Sequence, residues 1–161
     1  MKTLHLLRHA KSSNDDPGLP DRERPLAARG ERDAAAMGRR WSRRLGKLDL
    51  IVASPALRAL STARIVAEGL GDKGAEIVVD ERLYAAATET LLAVVEALDD
   101  KLECVMLVGH NPEFTALAHR FDAGIAELRT CALASFEFGS DTWSGIVRIQ
   151  PARTALDLPK S

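Results

Sequence analysis

Leu4-His5-Leu6-Leu7-Arg8-His9-Ala10-Lys11-Ser12 is the stretch on which the reading of this chain turns. Leu4 to Leu7 is a short apolar run of the kind a buried β-strand shows. It stops directly at Arg8-His9, and a polar loop follows that carries Lys11, Ser12, Ser13, Pro17, Gly18 and Pro20. Ligands of open α/β sheets bind just beyond the carboxyl ends of the strands. This strand therefore delivers a guanidinium and an imidazole to a place where sites form. Taken alone, the same two residues also read as the first solvated positions after a strand.

Working outward, the loop runs from about Lys11 to Pro25, longer than most connections, and long ordered loops are often functional. A helix follows to about Leu45, with Ala34, Met37, Trp41, Leu45 and Leu48 stepping by three and four along one buried face. Its arginines at 39, 40, 43 and 44 form a basic patch, read as a solvated face with room for an acidic partner. Leu50-Ile51-Val52-Ala53 is a second strand, and Ser54-Pro55 reads as the cap and first residue of the next helix. That helix turns Leu57, Leu60, Ala63, Ala67 and Leu70 inward and closes at Gly69, Gly71 and Gly74. Ile77-Val78-Val79 is a third strand, and a third helix follows with Leu91, Leu92, Val95 and Leu98 on one face.

Cys104 to Val108 is apolar without alternation, as a central parallel strand covered on both faces requires. It ends in Gly109-His110-Asn111-Pro112, and a fourth helix carries Phe114, Leu117, Ala118 and Phe121 as its core stripe. Alternation around Phe136 and Phe138, a turn at Gly139-Ser140-Asp141 and renewed alternation over Ile146 to Gln150 predict an antiparallel edge hairpin. Residues 151–161 read as a tail. Four strand-then-helix units imply one domain over 1–161, a three-layer α/β/α sandwich with a mainly parallel sheet.

The totals agree with that class. With 161 residues, 46% apolar and 28% charged, the chain is ordinary for a soluble globular protein. A net charge of -1 argues against nucleic-acid binding, and no apolar run approaches the ~20 residues of a membrane span. Cys104 and Cys131 match neither a redox nor a zinc spacing. They read as buried free thiols of a cytoplasmic protein, in which neither a metal nor another cofactor is expected.

Three strand ends carry matching equipment: Arg8-His9, then Ser54-Pro55 with Arg58 one turn on, then Gly109-His110-Asn111-Pro112. In a parallel sheet these ends share one edge, so two arginines and two histidines can converge. Helix N-termini nearby add free N–H groups, and the set suits a phosphate dianion. A neutral imidazole attacks phosphorus and forms a covalent intermediate, and arginines beside it hold its pKa down. Charge neutralisation and positioning are most of what phosphoryl transfer needs. A phosphate-recognising module without turnover is the competing reading. A nucleotide-binding protein is disfavoured because no Gly-rich loop follows the first strand.

Leu7-Arg8-His9-Ala10-Lys11-Ser12, Arg24-Pro25-Leu26 with Gly30, Ser54-Pro55-Ala56-Leu57-Arg58-Ala59 with Thr62-Ala63, and Val108-Gly109-His110-Asn111-Pro112 together resemble the histidine phosphatase superfamily, whose fold is phosphoglycerate mutase-like. The short length and the Arg-His-Ala-Lys-Ser form are most similar to its small SixA-type phosphohistidine phosphatase branch. The resemblance implies that His9 is the phosphorylated nucleophile and that Arg8, Arg58 and His110 complete the phosphate pocket. Lys11 and Ser12 are candidates to reach substrate, and Asn111 to offer its backbone N–H. Larger members carry an acid after the third strand that protonates the leaving oxygen. Here Ala85 stands in that slot, and Glu81, a few residues early, is a weak candidate. Without a positioned acid, alkyl phosphates are poor substrates and phosphorus on imidazole is a better one. The expected protein is thus a monomeric, metal-independent phosphatase of protein phosphohistidine, with small phosphoesters as the alternative substrate.

Overall fold

The computed structural model describes residues 1–71 and 75–160. Its strands are β1 (Lys2–Arg8), β2 (Leu50–Ala53), β3 (Glu76–Val79), β4 (Cys104–Gly109), β5 (Leu133–Phe138) and β6 (Arg153–Asp157). Its α-helices are α1 (Ala28–Arg44), α2 (Leu57–Leu70), α3 (Thr88–Glu96) and α4 (Glu113–Phe121). All the strands belong to one sheet, in the order β3-β2-β4-β1-β5-β6. β1 to β4 run parallel, and β5 and β6 complete the sheet antiparallel to their neighbours. The sandwich expected from the alternating units is the fold that forms.

β4 holds the centre, between β2 and β1, and Val105, Met106, Leu107 and Val108 are wholly buried. A strand covered on both faces has no polar side to show, which is why its sequence does not alternate. Successive residues of β1 serve opposite layers, as the two-residue period of a strand demands. Leu4 and Leu6 pack with Leu91, Phe114, Phe136 and Trp143 under α3 and α4. Leu7 packs with Met37, Trp41, Ile51 and Met106 under α1 and α2. α1 and α2 touch at backbone distance: a Cβ on Gly69 would lie 2.8 Å from the carbonyl carbon of Gly38. Only glycine allows so close an approach.

Three local expectations change. Ser54-Pro55 does not begin α2, which starts at Leu57 with Ala56 as its cap residue; the Ser54 hydroxyl instead accepts from the Ala56 N–H at 3.2 Å and turns toward the site. Gly71 ends α2 at φ +62, where glycine carries no steric cost, while Gly74 lies outside the described residues. The edge hairpin uses a different second strand. Ile146–Arg148 is a 3-10 turn, drawn inward because Trp143 and Ile146 are buried in the core under α3 and α4. The Trp143 indole donates to the Leu102 carbonyl at 2.8 Å, which secures that plug. The strand that pairs with β5 is β6, inside the stretch read as a tail. Asp157 fixes its end, accepting from Arg40 at 2.6 Å and from the Trp41 indole at 2.7 Å. The alternation at Ile146 to Gln150 thus reported a 3-10 turn anchored by the buried Ile146, not a strand. Cys131 is buried and Cys104 half-buried; both are free thiols, and burial pushes each up to about 12.

Candidate active site

The order β2-β4-β1 brings the three equipped strand ends side by side. The ladder continues past the strands: the His9 N–H donates to Gly109 at 3.0 Å and the Ser54 N–H to Val108 at 3.0 Å. Cys131, at φ +61, donates to the carbonyls of Arg8 and His9, so β1's end is held from both sides. The next residue is braced by α2, whose Thr62 hydroxyl accepts from the Ala10 N–H at 3.0 Å. His9 and His110 meet with ring centres 5.2 Å apart.

The protons of the two imidazoles follow from their partners. His9 Nδ1 lies 2.7 Å from the Ala10 carbonyl oxygen. A carbonyl only accepts, so Nδ1 carries the hydrogen and Nε2 is left with its lone pair. Burial, reinforced by Arg58, Arg8 and Arg24, holds His9 down at about 4 against the pull of that hydrogen bond. Burial is the larger cause, where the sequence suggested the arginines. His110 Nε2 meets the Ser54 hydroxyl at 2.8 Å, and its Nδ1 is buried without a partner among the described residues. Burial first, then His9 and Arg58, holds His110 at about 3. The Ser54 hydroxyl accepts from Ala56 and has no acceptor other than His110 Nε2 among the described residues, so its hydrogen is assigned to that nitrogen and the ring hydrogen to Nδ1.

Arg8 donates from Nη1 to the Leu128 carbonyl at 3.0 Å, while its Nε is buried with no partner among the described residues. Burial lowers the Arg8 pKa, with Glu127 opposing. Two unsatisfied buried nitrogens, on Arg8 and His110, are costly in a finished fold and fit an oxyanion that completes them. Arg58, only 8% exposed, is held by a residue the sequence did not single out. Its Nη1 donates to the Asp21 carbonyl at 2.7 Å and its Nη2 to the Asp21 carboxylate at 3.0 Å. The same carboxylate accepts from the Tyr84 hydroxyl at 2.5 Å, and Arg22 stacks over the Tyr84 ring at 4.4 Å. The Tyr84 hydrogen bond, followed by Arg58 and Arg24, lowers Asp21 to about 2; Tyr84 is raised in turn, chiefly by Asp21. The long loop thus contributes the carboxylate that orients Arg58. Nothing in the sequence separates Asp21 from Asp15 or Asp16 of the same loop; only its position after Pro20 in a 3-10 turn, Asp21–Glu23, does so in three dimensions.

Arg58 and His110 line a cavity of about 340 Å³, together with Asp21, Tyr84, Ala85 and Glu113. Ala85 sits there at φ +52, so the slot after β3 does hold a methyl group. Glu81 does not reach the cavity. It pairs with Arg22 at 3.0 Å and is largely exposed, which removes it as a candidate acid. Lys11 and Ser12 line a different hollow, of about 540 Å³, beside Leu26. The Ser12 hydroxyl accepts from Arg24 at 2.7 Å, and Lys11 is exposed. Asn111 lines the His110 cavity, but its side chain is committed to structure. Its amide donates to Leu128 at 2.8 Å and its oxygen accepts from Thr115 at 3.1 Å, capping α4. Among the described residues no group of three or more His, Cys, Asp or Glu is placed to hold a metal ion. Among them too, no helix is long and apolar enough to cross a membrane.

Residues 4–89 match the family described as the histidine phosphatase superfamily (branch 1). An uncharacterised protein of Mycobacterium tuberculosis is 38% identical over 112 residues, which is 70% of this chain and 67% of that one. The SixA structure from Agrobacterium tumefaciens is similar at 30% identity and a TM-score of 0.76, covering 84% of this chain and 91% of that chain. The SixA structure from Nakamurella multipartitia superposes with a TM-score of 0.84 at 23% identity, covering 99% of this chain and 97% of that chain.

Proposed function

This chain belongs to the histidine phosphatase superfamily, and from that premise we propose that it hydrolyses protein phosphohistidine through a covalent phosphoryl group on His9, without a metal. The observation that carries the reading is the bare Nε2 of His9, fixed by the Nδ1–H bond to Ala10 and set against the unpartnered nitrogens of His110 and Arg8. In the first step the Nε2 lone pair forms the N–P bond as the bond from phosphorus to the substrate nitrogen breaks. The substrate imidazole, protonated on its other ring nitrogen, takes that electron pair and leaves as a neutral ring. Arg8, Arg58 and the Nδ1–H of His110 hold the non-bridging oxygens, whose charge grows in the transition state. Two guanidiniums supply the neutralisation that a metal ion would otherwise give.

Phosphohistidine as the substrate rests on the leaving-group side. The slot after β3 holds Ala85, Glu81 pairs with Arg22 and Tyr84 gives its proton to Asp21, so no carboxyl of that loop serves a departing alkoxide. An imidazole needs less help, and the A. tumefaciens relative is provisionally named a phosphohistidine phosphatase.

Alkaline detergent-quench trapping with a labelled phosphohistidine phosphotransfer domain, and separately with p-nitrophenyl phosphate, tests both parts. An acid-labile phosphoenzyme that is absent in His9→Ala, unaffected by chelator and formed faster from the phosphoprotein, is the expected result. No phosphoenzyme from either substrate would refute the covalent route. Rates that barely change with leaving-group pKa would refute phosphohistidine in favour of small phosphoesters.

A further inference from the structure

We infer that Glu113 takes the proton from the water that hydrolyses phospho-His9, an assignment that rests on the covalent route above. The second half of that route needs a proton acceptor near phosphorus, and the groups lining the cavity can be taken in turn. His110 is neutral, with Nε2 occupied by Ser54 and Nδ1 presenting a hydrogen. The Asp21 carboxylate is already engaged by Arg58, Tyr84 and Arg24. Tyr84 donates its own proton to Asp21.

Glu113 differs from all three. It begins α4, three residues after His110, and is 6% exposed, yet its side chain lines the cavity. Its Oε2 accepts from the Ala86 N–H at 3.0 Å, and its Oε1 has no protein partner among the described residues. No cation pairs with it among the described residues either. A buried carboxylate with one backbone donor and no counter-charge is unfavourable for folding. It lines the same cavity as His110, whose ring centre lies 5.2 Å from that of His9, and a base at that place is the use that offsets the penalty.

The step balances. Water oxygen bonds to phosphorus, its proton passes to Glu113 Oε1, and the P–Nε2 bond breaks with its electron pair returning to Nε2. Because His9 keeps its Nδ1 hydrogen, phospho-His9 is cationic on the ring and leaves as a neutral imidazole. The proton on Glu113 then passes to solvent as phosphate departs.

Glu113→Gln separates this role from simple support of the Ala85–Ala86 loop, because the amide oxygen can still accept from Ala86. Rapid-quench measurement should give phosphorylation within about threefold of wild type and dephosphorylation slowed by roughly 10²-fold or more, the usual range for a lost general base. Phosphoenzyme should then accumulate at steady state. In Glu113→Ala, added formate should restore dephosphorylation selectively. Equal loss in both half-reactions, unchanged turnover in Glu113→Gln, or a folded Glu113→Ala that formate does not rescue would each overturn the inference. Absence of any phosphoenzyme in wild type is a separate failure: it overturns the covalent route and this assignment with it.

Discussion

Gly30→Ala should slow the enzyme from outside its cavity. A Cβ at residue 30 would lie 2.1 Å from the Lys11 carbonyl oxygen, 2.9 Å from the Lys11 nitrogen and 3.0 Å from its carbonyl carbon. All three atoms are backbone, and ordinary non-bonded contact requires about 3.5 Å, so the two segments must part by more than about 1 Å. They cannot part freely. The Lys11 carbonyl accepts from the Ala27 N–H at 2.9 Å at the start of α1, and Ser12 pairs with Leu26 beside it. Lys11 follows His9 by two residues, so the displacement reaches the nucleophile's own turn. Alanine is the better helix former by about 1 kcal/mol, but overpacking costs roughly 1–3 kcal/mol, so the clash wins. Misplacement on the order of 1 Å is worth up to about 10² in rate. Urea denaturation should show a lower midpoint, and single-turnover phosphorylation should fall by roughly ten- to a hundredfold. Gly46→Ala, where nothing among the described residues lies within 4 Å of the added atom, serves as the control and should be neutral. A Gly30→Ala protein that is as stable and as fast as wild type would show that the β1 turn and α1 are not coupled as described.

Three further expectations concern charge. Because the pKa values of His9 and His110 lie at about 4 and about 3 in the fold, kcat/KM should hold down to about pH 5 and fall below it, with no break near 6.5. His5, His9 and His110 all have folded values below the ordinary 6.5, so protons favour the unfolded chain. The stability they confer is complete above pH 6.5 and is lost as pH falls toward 4, which denaturation midpoints at pH 7.5 and 4.5 will reveal. Asp21, lowered to about 2, acts below that window and does not offset it. Asp21→Ala removes the carboxylate that holds Arg58 and Tyr84, and should reduce kcat/KM by roughly tenfold. A fully active Asp21→Ala would mean that α2 alone orients Arg58.

The layered sandwich and the convergence of Arg8, His9, Arg58 and His110 were legible because both depend on short-range signals. Apolar runs mark the strands, and a parallel sheet places their ends on one edge. What escaped depends on contacts far apart in sequence. Asp21 is distinguished only by reaching Arg58 and Tyr84, 37 and 63 residues away. Glu113 looks like an ordinary first-turn acid until the Ala86 N–H, 27 residues back, is found on its oxygen. The β6 strand was hidden because the alternation of Ile146 to Gln150 mimicked one nearer by, while Arg153–Asp157 is partly exposed and held by Trp41 and Arg40. Glu81 misled in the opposite direction, since its place after β3 suits an acid but Arg22 claims it on the surface.

The Ala10 carbonyl that meets His9 Nδ1 sets the regiochemistry of the proposed intermediate. With that nitrogen blocked by a hydrogen bond, phosphorus can be carried only on Nε2, so the enzyme should yield the tele isomer of phosphohistidine and never the pros isomer. The blocking group is a peptide oxygen, so substitution of the Ala10 side chain leaves it in place. The choice of isomer is therefore written into the main chain, and phosphorus NMR of the trapped enzyme reads it directly.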